Sequence, residues 1–174
     1  MRPPVEEAGI RALADALGRI AQVPTQLYLT GGASAVLEGW RGSTIDVDLR
    51  LEPESDELLR ALPALKERLG LNIELASPPD FIPELPRWRE RSPLVLSSGK
   101  VQVRHFDFYS QALSKIERGF SQDLADVRSM IRRRVVDPDE VEALYRVIEP
   151  ELYRYPAIDP AAFARKVEEA MRPE

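Results

Sequence analysis

Apolar residues at Ile10, Leu13, Leu17, Ile20 and Ala21 recur at the spacing of one helix face, so the stretch from Val5 to Ala21, behind Pro3-Pro4, is predicted to be helical. The pattern then changes. Gln26 to Thr30 (QLYLT) reads as a short strand that Gly31-Gly32 breaks, and Ala33 to Trp40 reads as a helix opened by that glycine pair. Thr44 to Leu51 alternates strictly. Ile45, Val47, Leu49 and Leu51 share one face, expected in the core, while Thr44, Asp46, Asp48 and Arg50 take the other.

Further along, Ser55 to Leu69 is predicted to be a helix with Ser55 as its N-cap and Gly70 as its stop, and Leu71 to Leu75 a strand. The proline-rich residues 77–93, with the cluster RWRER, read as a long exposed excursion, a kind of loop that is usually functional or mobile. Leu94 to Leu96 and Val101 to Phe108 form a hairpin turning at Ser97-Ser98-Gly99. Beyond Tyr109 the periodicity is helical, over about 110–118, 122–134, 138–148 and 160–171. The expected fold is α+β, with α/β character: a mixed sheet with flanking helices over residues 1–110 and a helical C-terminal region over 111–174, packed on that core.

Composition narrows the chemistry. A chain of 174 residues suits one domain, or one domain with a helical extension, and needs no metal or disulfide staple to fold. Without cysteine there is no thiolate nucleophile and no Cys-type zinc site, and a single histidine, His105, excludes His-pair metal sites. Carboxylate chemistry with a hard cation stays open. A net charge of −5 argues against a uniformly basic nucleic-acid coat, although 20 of the 24 cations are arginines, suited to bidentate phosphate contacts. MRPPVEEAG lacks an apolar signal core and no apolar run is long enough to span a bilayer, so a soluble, cytoplasmic protein with no membrane partner is expected.

The informative stretch is Leu29 to Leu51, LTGGASAVLEGWRGSTIDVDLRL. Backbone N–H groups at a glycine-started helix point outward with the positive end of the dipole, and the missing Cβ atoms let a polyphosphate approach the main chain. Ser34 is placed to donate its hydroxyl to a phosphate oxygen; a plain strand-to-helix turn accounts for the same residues. Asp46 and Asp48 follow, two positions apart on a strand and therefore on one face, roughly 7 Å apart. They repel unless a cation sits between them, and both reach one Mg²⁺ or two neighbouring ions. The alternative is a solvated sheet face on which Arg50 and Thr44 offset the acids.

A diglycine turn followed 14 residues later by Asp-x-Asp, with Arg41 and Ser43 between, resembles the nucleotidyltransferases of the DNA polymerase beta superfamily, and in particular the AbiEii/MenT-type toxin enzymes. Their pattern GG-x-[ST/A] … R-x-S-x-D-[ILV]-D-[LF] is similar to Gly31, Gly32, Ser34, Arg41, Ser43, Asp46 and Asp48, with one extra residue between Ser43 and Asp46. A second block, LSKIERGFSQDLADV, is similar to that family's K-x-x-x-[RG] … K-D-x-x-D-L stretch and carries Lys115, Arg118, Asp123 and Asp126, with Gln122 where lysine is common.

The resemblance implies that Gly31, Gly32, Ser34, Arg41 and Ser43 hold a nucleoside triphosphate such as ATP, that Asp46 and Asp48 hold Mg²⁺ or Mn²⁺, and that Lys115 reaches the triphosphate. Asp123 is the catalytic acid it suggests, with Asp126 structural. Asp107, sharing strand parity with His105, is the candidate for a third carboxylate that deprotonates the acceptor. Each has a plainer reading: Lys115 as a solvated helix lysine, Asp123 as a first-turn acid, Asp107 as the cap of the helix near Ser110, His105 as a structural strand-end residue. Arg87, Arg89 and Arg91 around Trp88, and Arg128 with Arg132 to Arg134, suit a nucleic-acid backbone with one stacking ring, or simply solvent. The expected function is transfer of NMP from an NTP to an acceptor, RNA at a tRNA 3′ end, by a toxin with a cognate antitoxin. A small-molecule or protein acceptor, or a silent nucleotidyltransferase-like binding module, is the alternative.

Overall fold

Two units divide the chain: one runs up to Ser77 and resumes over Ser92–Phe106, and the other comprises Pro78–Arg91 and Asp107–Glu174. The computed structural model describes residues 2–174, so Met1, the first residue of the expected 1–110 core, lies outside it.

In the first unit, α1 (Glu7–Ile20) leads into β1 (Thr25–Thr30), which passes directly into α2 (Gly31–Glu38). Then come β2 (Asp46–Glu52), α3 (Asp56–Leu69), β3 (Asn72–Leu75), β4 (Leu94–Ser98) and β5 (Val101–His105). The strands form a sheet in the order β3-β2-β1-β5-β4. β1 is antiparallel to β2 and parallel to β5, β3 runs parallel to β2, and β4 closes the β4–β5 hairpin. The fold is therefore the expected α+β arrangement with a mixed sheet.

Alternation decides what each strand buries. Leu27, Leu29, Val47, Leu49, Leu51, Ile73, Val101 and Val103 join Ile10, Leu13 and Leu17 of α1 and Leu58, Leu62 and Leu65 of α3 in one core. Burying each such side chain is worth about 1.5–3 kcal/mol, so the face carrying them cannot be exchanged with the face carrying Asp46 and Asp48. Ile45 departs from expectation: it is 75% exposed. The neighbouring Thr44 is tied to Val5 by an isolated bridge, and the regular strand starts only at Asp46, so the alternation does not reach back to Ile45. Ser55 occupies the N-cap position of α3 but its side chain makes no capping bond, leaving Asp56 and Glu57 to complement the helix dipole.

The second unit holds α4 (Phe108–Arg118), α5 (Ser121–Arg132), α6 (Pro138–Ile148) and α7 (Pro160–Met171), close to the helices expected from periodicity. Asp107, Asp137 and Asp159 cap α4, α6 and α7 through their side chains. The excursion is not the open loop expected. It makes two short 3₁₀ turns and buries Ile82, Leu85 and Trp88. Trp88 is 1% exposed and its indole N–H donates to Glu84 at 2.7 Å, so its ring is no stacking platform for a base. Arg89 lies over that ring at 4.3 Å and Arg87 pairs with Glu90, which accounts for these arginines within the protein. Among the described residues no helix is long and apolar enough to cross a membrane.

Candidate active site

β1 ends at Thr30, opposite Asp48 in the antiparallel register, and the chain turns at once into α2. The turn needs a left-handed residue, and Gly31 supplies it at φ 61°. A Cβ on Gly31 would stand 3.0 Å from Asp48 Oδ2. At Gly32 a Cβ would run into the Thr44 hydroxyl and come within 2.7 Å of the Thr44 Cβ and 3.1 Å of Arg41 Nη1. The diglycine bend, Arg41, Thr44 and Asp48 thus form one closely packed group on the first unit.

Asp46 and Asp48 leave β2 on the same face, as the alternation requires, and both are half-buried. β3 runs beside them: Asp46 pairs with Asn72 and Asp48 with Glu74 in register. Paired residues of neighbouring strands share a face, so Asn72 and Glu74 stand with the two aspartates. Asn72 Nδ2 donates to Asp46 Oδ1, fixing that carboxylate, and Glu74 is exposed. Among the described residues no group of three or more His, Asp or Glu side chains is gathered around a point that would hold a metal ion. Two carboxylates with hard oxygen donors still fit Mg²⁺, which ordinarily takes one or two carboxylates and completes its shell with phosphate oxygens and water.

Ser34 is corrected by the structure. It is fully buried, and its hydroxyl lies 2.6 Å from His105 Nδ1 rather than at the mouth of the bend. A helix carries residue 34 round to the sheet side, away from the N–H groups of its first turn. Ser43 is exposed, and the hydroxyl facing the glycines belongs to Thr44. His105 is buried between Ser34 and Glu38, with Nε2 3.0 Å from Glu38 Oε1, and burial pushes its pKa down from 6.5 to about 4.

Asp107, Lys115 and Asp123 belong to the second unit. Asp107 does not extend β5, which stops at His105; it is fully buried as the cap of α4. It accepts from Tyr109 N, Ser110 N and Ser110 Oγ, and it takes Arg91 in a fork at 3.1 and 2.8 Å. A carboxylate so engaged, with no exposed surface, is a structural acid rather than a base for an incoming hydroxyl. Lys115 is not a solvated lysine: its Nζ is buried 2.7 Å from Asp126 and 3.7 Å from Asp123. Arg118 forks onto Asp123 at 2.8 and 2.6 Å, and Gln122 donates to Asp126.

A family model described as "Nucleotidyltransferase of unknown function (DUF6036)" matches residues 10–163. The chain belongs to this family. No curated protein and no solved structure matches it. In this DUF6036 chain the matched span contains the bend, the aspartate pair and the Lys115 network alike.

The sequence pattern does not single out Asn72 and Glu74, which stand beside the two aspartates. The alternation of Asn72 and Glu74 with Leu71, Ile73 and Leu75 was visible, but which strand they lie beside is a property of the sheet.

Proposed function

We propose that this DUF6036 protein is a metal-dependent nucleotidyltransferase that moves NMP from an NTP to a hydroxyl acceptor. The observation that carries this reading is the approach of Gly31 to Asp48 Oδ2: a Cβ-free helix start meets one member of an acid pair, so that phosphate at the one and a cation at the other would be neighbours. The N–H groups of Gly31 and Gly32 and the Arg41 guanidinium bind phosphate oxygens; Asp46, held by Asn72, and Asp48 hold the cation. Mg²⁺ bound there would draw charge from the phosphates and the departing pyrophosphate. The acceptor oxygen forms its bond to the α-phosphorus as the bond to pyrophosphate breaks, and the hydroxyl proton passes to a base. Glu74, exposed and in register with Asp48, takes the role first considered for Asp107.

The resemblance to AbiEii/MenT-type enzymes supports RNA, at a tRNA 3′ end, as the acceptor, and with it a toxin role and a cognate antitoxin. The protein is incubated with each α-labelled NTP, Mg²⁺ and total tRNA. Label in RNA is expected, and Asp46→Asn or Asp48→Asn is expected to abolish it with the melting temperature kept. Label in protein or in small molecules instead would overturn the RNA reading and leave the chemistry. No incorporation with any NTP would overturn the nucleotidyltransferase reading.

A further inference from the structure

We propose that His105 is a positioning residue for the nucleotide-binding bend, its imidazole tying both ends of one turn of α2 to the strand ends where the bend begins. This inference rests on the nucleotidyltransferase reading for its functional consequence, but the geometry stands by itself.

α2 is eight residues long and opens with two glycines, so it has little intrinsic stability and takes its position from what grips it. Ser34 and Glu38 are one turn apart on the same face of α2. Both reach one imidazole: Ser34 Oγ at Nδ1, 2.6 Å, and Glu38 Oε1 at Nε2, 3.0 Å. These partners fix the tautomer. A carboxylate only accepts, so Nε2 carries the proton and donates to Glu38, and Nδ1 accepts the Ser34 hydroxyl proton. The depressed pKa agrees with a neutral ring.

His105 stands where such a tie acts on the bend. It is the last residue of β5 and lies in register with Leu29, two residues before Gly31. Phe106 N donates to Leu29 O at 2.7 Å, locking the level of the two strand ends. The imidazole therefore sets the height of α2 above the end of β1, and with it the approach of Gly31 to Asp48. The serine–histidine–glutamate chain is not a nucleophilic relay, because Ser34 is fully buried and no substrate reaches its oxygen.

His105 is the sole histidine, so the long-range ¹H–¹⁵N spectrum of the labelled protein reports one imidazole without assignment. At pH 7 the neutral Nε2–H pattern is expected; the Nδ1–H tautomer or the imidazolium would overturn the proposal. In Ser34→Ala and His105→Leu, α2 amides are expected to exchange at least about tenfold faster than in the parent, and α3 amides to be unchanged. KM for the NTP should rise about tenfold with kcat within a few-fold, and His105→Gln, which keeps one donor or acceptor, should recover part of it. Unchanged α2 exchange in Ser34→Ala, which removes one hydroxyl and should fold even where His105→Leu does not, would sink the idea. If the parent shows no transfer while α2 exchange still responds, the nucleotidyltransferase reading fails and the positioning role of His105 stands.

Discussion

Gly31 and Asp48 are separated by only the space of a missing methyl group: a Cβ on the glycine would sit 3.0 Å from the aspartate Oδ2. The two residues are far apart in sequence, one at a helix start and the other on the neighbouring strand. That closeness brings two ordinary local features, a glycine bend and an acid pair, to one place.

Alanine at the two glycines should separate strain from crowding. Gly31→Ala places a side chain at φ 61° and presses on Asp48; Gly32→Ala drives a methyl into Thr44. Each is expected to lower stability by about 1–3 kcal/mol in urea denaturation. Nucleotide transfer should fall by far more than stability alone explains, because the methyl fills the space proposed for phosphate. Activity near the parent level in either folded variant would remove the bend from the site.

Glu74→Gln keeps shape and removes the base. Glu74 is exposed, so the melting temperature is expected to stay within a degree or two. The proposed proton transfer predicts a drop in kcat of about 10²–10⁴-fold with KM for the NTP little changed. Mn²⁺ binding followed by electron paramagnetic resonance should be retained, which distinguishes a base from a metal ligand. A kcat close to that of the parent would leave the acceptor proton to another group.

Lys115→Met leaves Asp126 and Asp123 buried without the ammonium that lies 2.7 and 3.7 Å from them. Breaking a buried pair by removing one partner typically costs about 3–5 kcal/mol, and that loss is expected in equilibrium unfolding. The double variant Lys115→Met/Asp126→Leu should recover much of it, since both charges are gone. A single variant as stable as the parent would show that Lys115 is not held as the structure has it.

Stability should fall on mild acidification through His105. Its folded-state pKa, about 4, lies below the ordinary 6.5, so the unfolded chain binds more protons between these values. The contribution is therefore fully present above pH 6.5 and is lost as pH falls toward 4. Between pH 7.5 and pH 5 the loss should reach about 2 kcal/mol, and His105→Gln should flatten that part of the curve. A parent curve with no slope there would contradict a buried neutral imidazole.

The strands, most helix boundaries and the shared face of Asp46 and Asp48 were legible in the chain because each depends on periodicity over a few residues. The misreadings came where a residue's environment is built by distant segments. Ile45 fits the alternation yet is exposed, because Val5 captures Thr44 just before it. Trp88 sits among prolines and arginines yet is buried. Ser34 has the right spacing from the glycines and the wrong direction on the helix, facing His105.

By itself, then, the sequence determined the α+β order of elements, the break of a strand into a helix at the glycine pair, and the pairing of two acids on one strand face. These follow from backbone sterics and from side-chain period, which act locally. Only the tertiary structure decided that Gly31 meets Asp48, that β3 brings Asn72 and Glu74 alongside, and that Asp107 serves as a cap. Those are matters of sheet order, register and long-range burial, and a slip of β3 by one residue would move Asn72 and Glu74 to the opposite face.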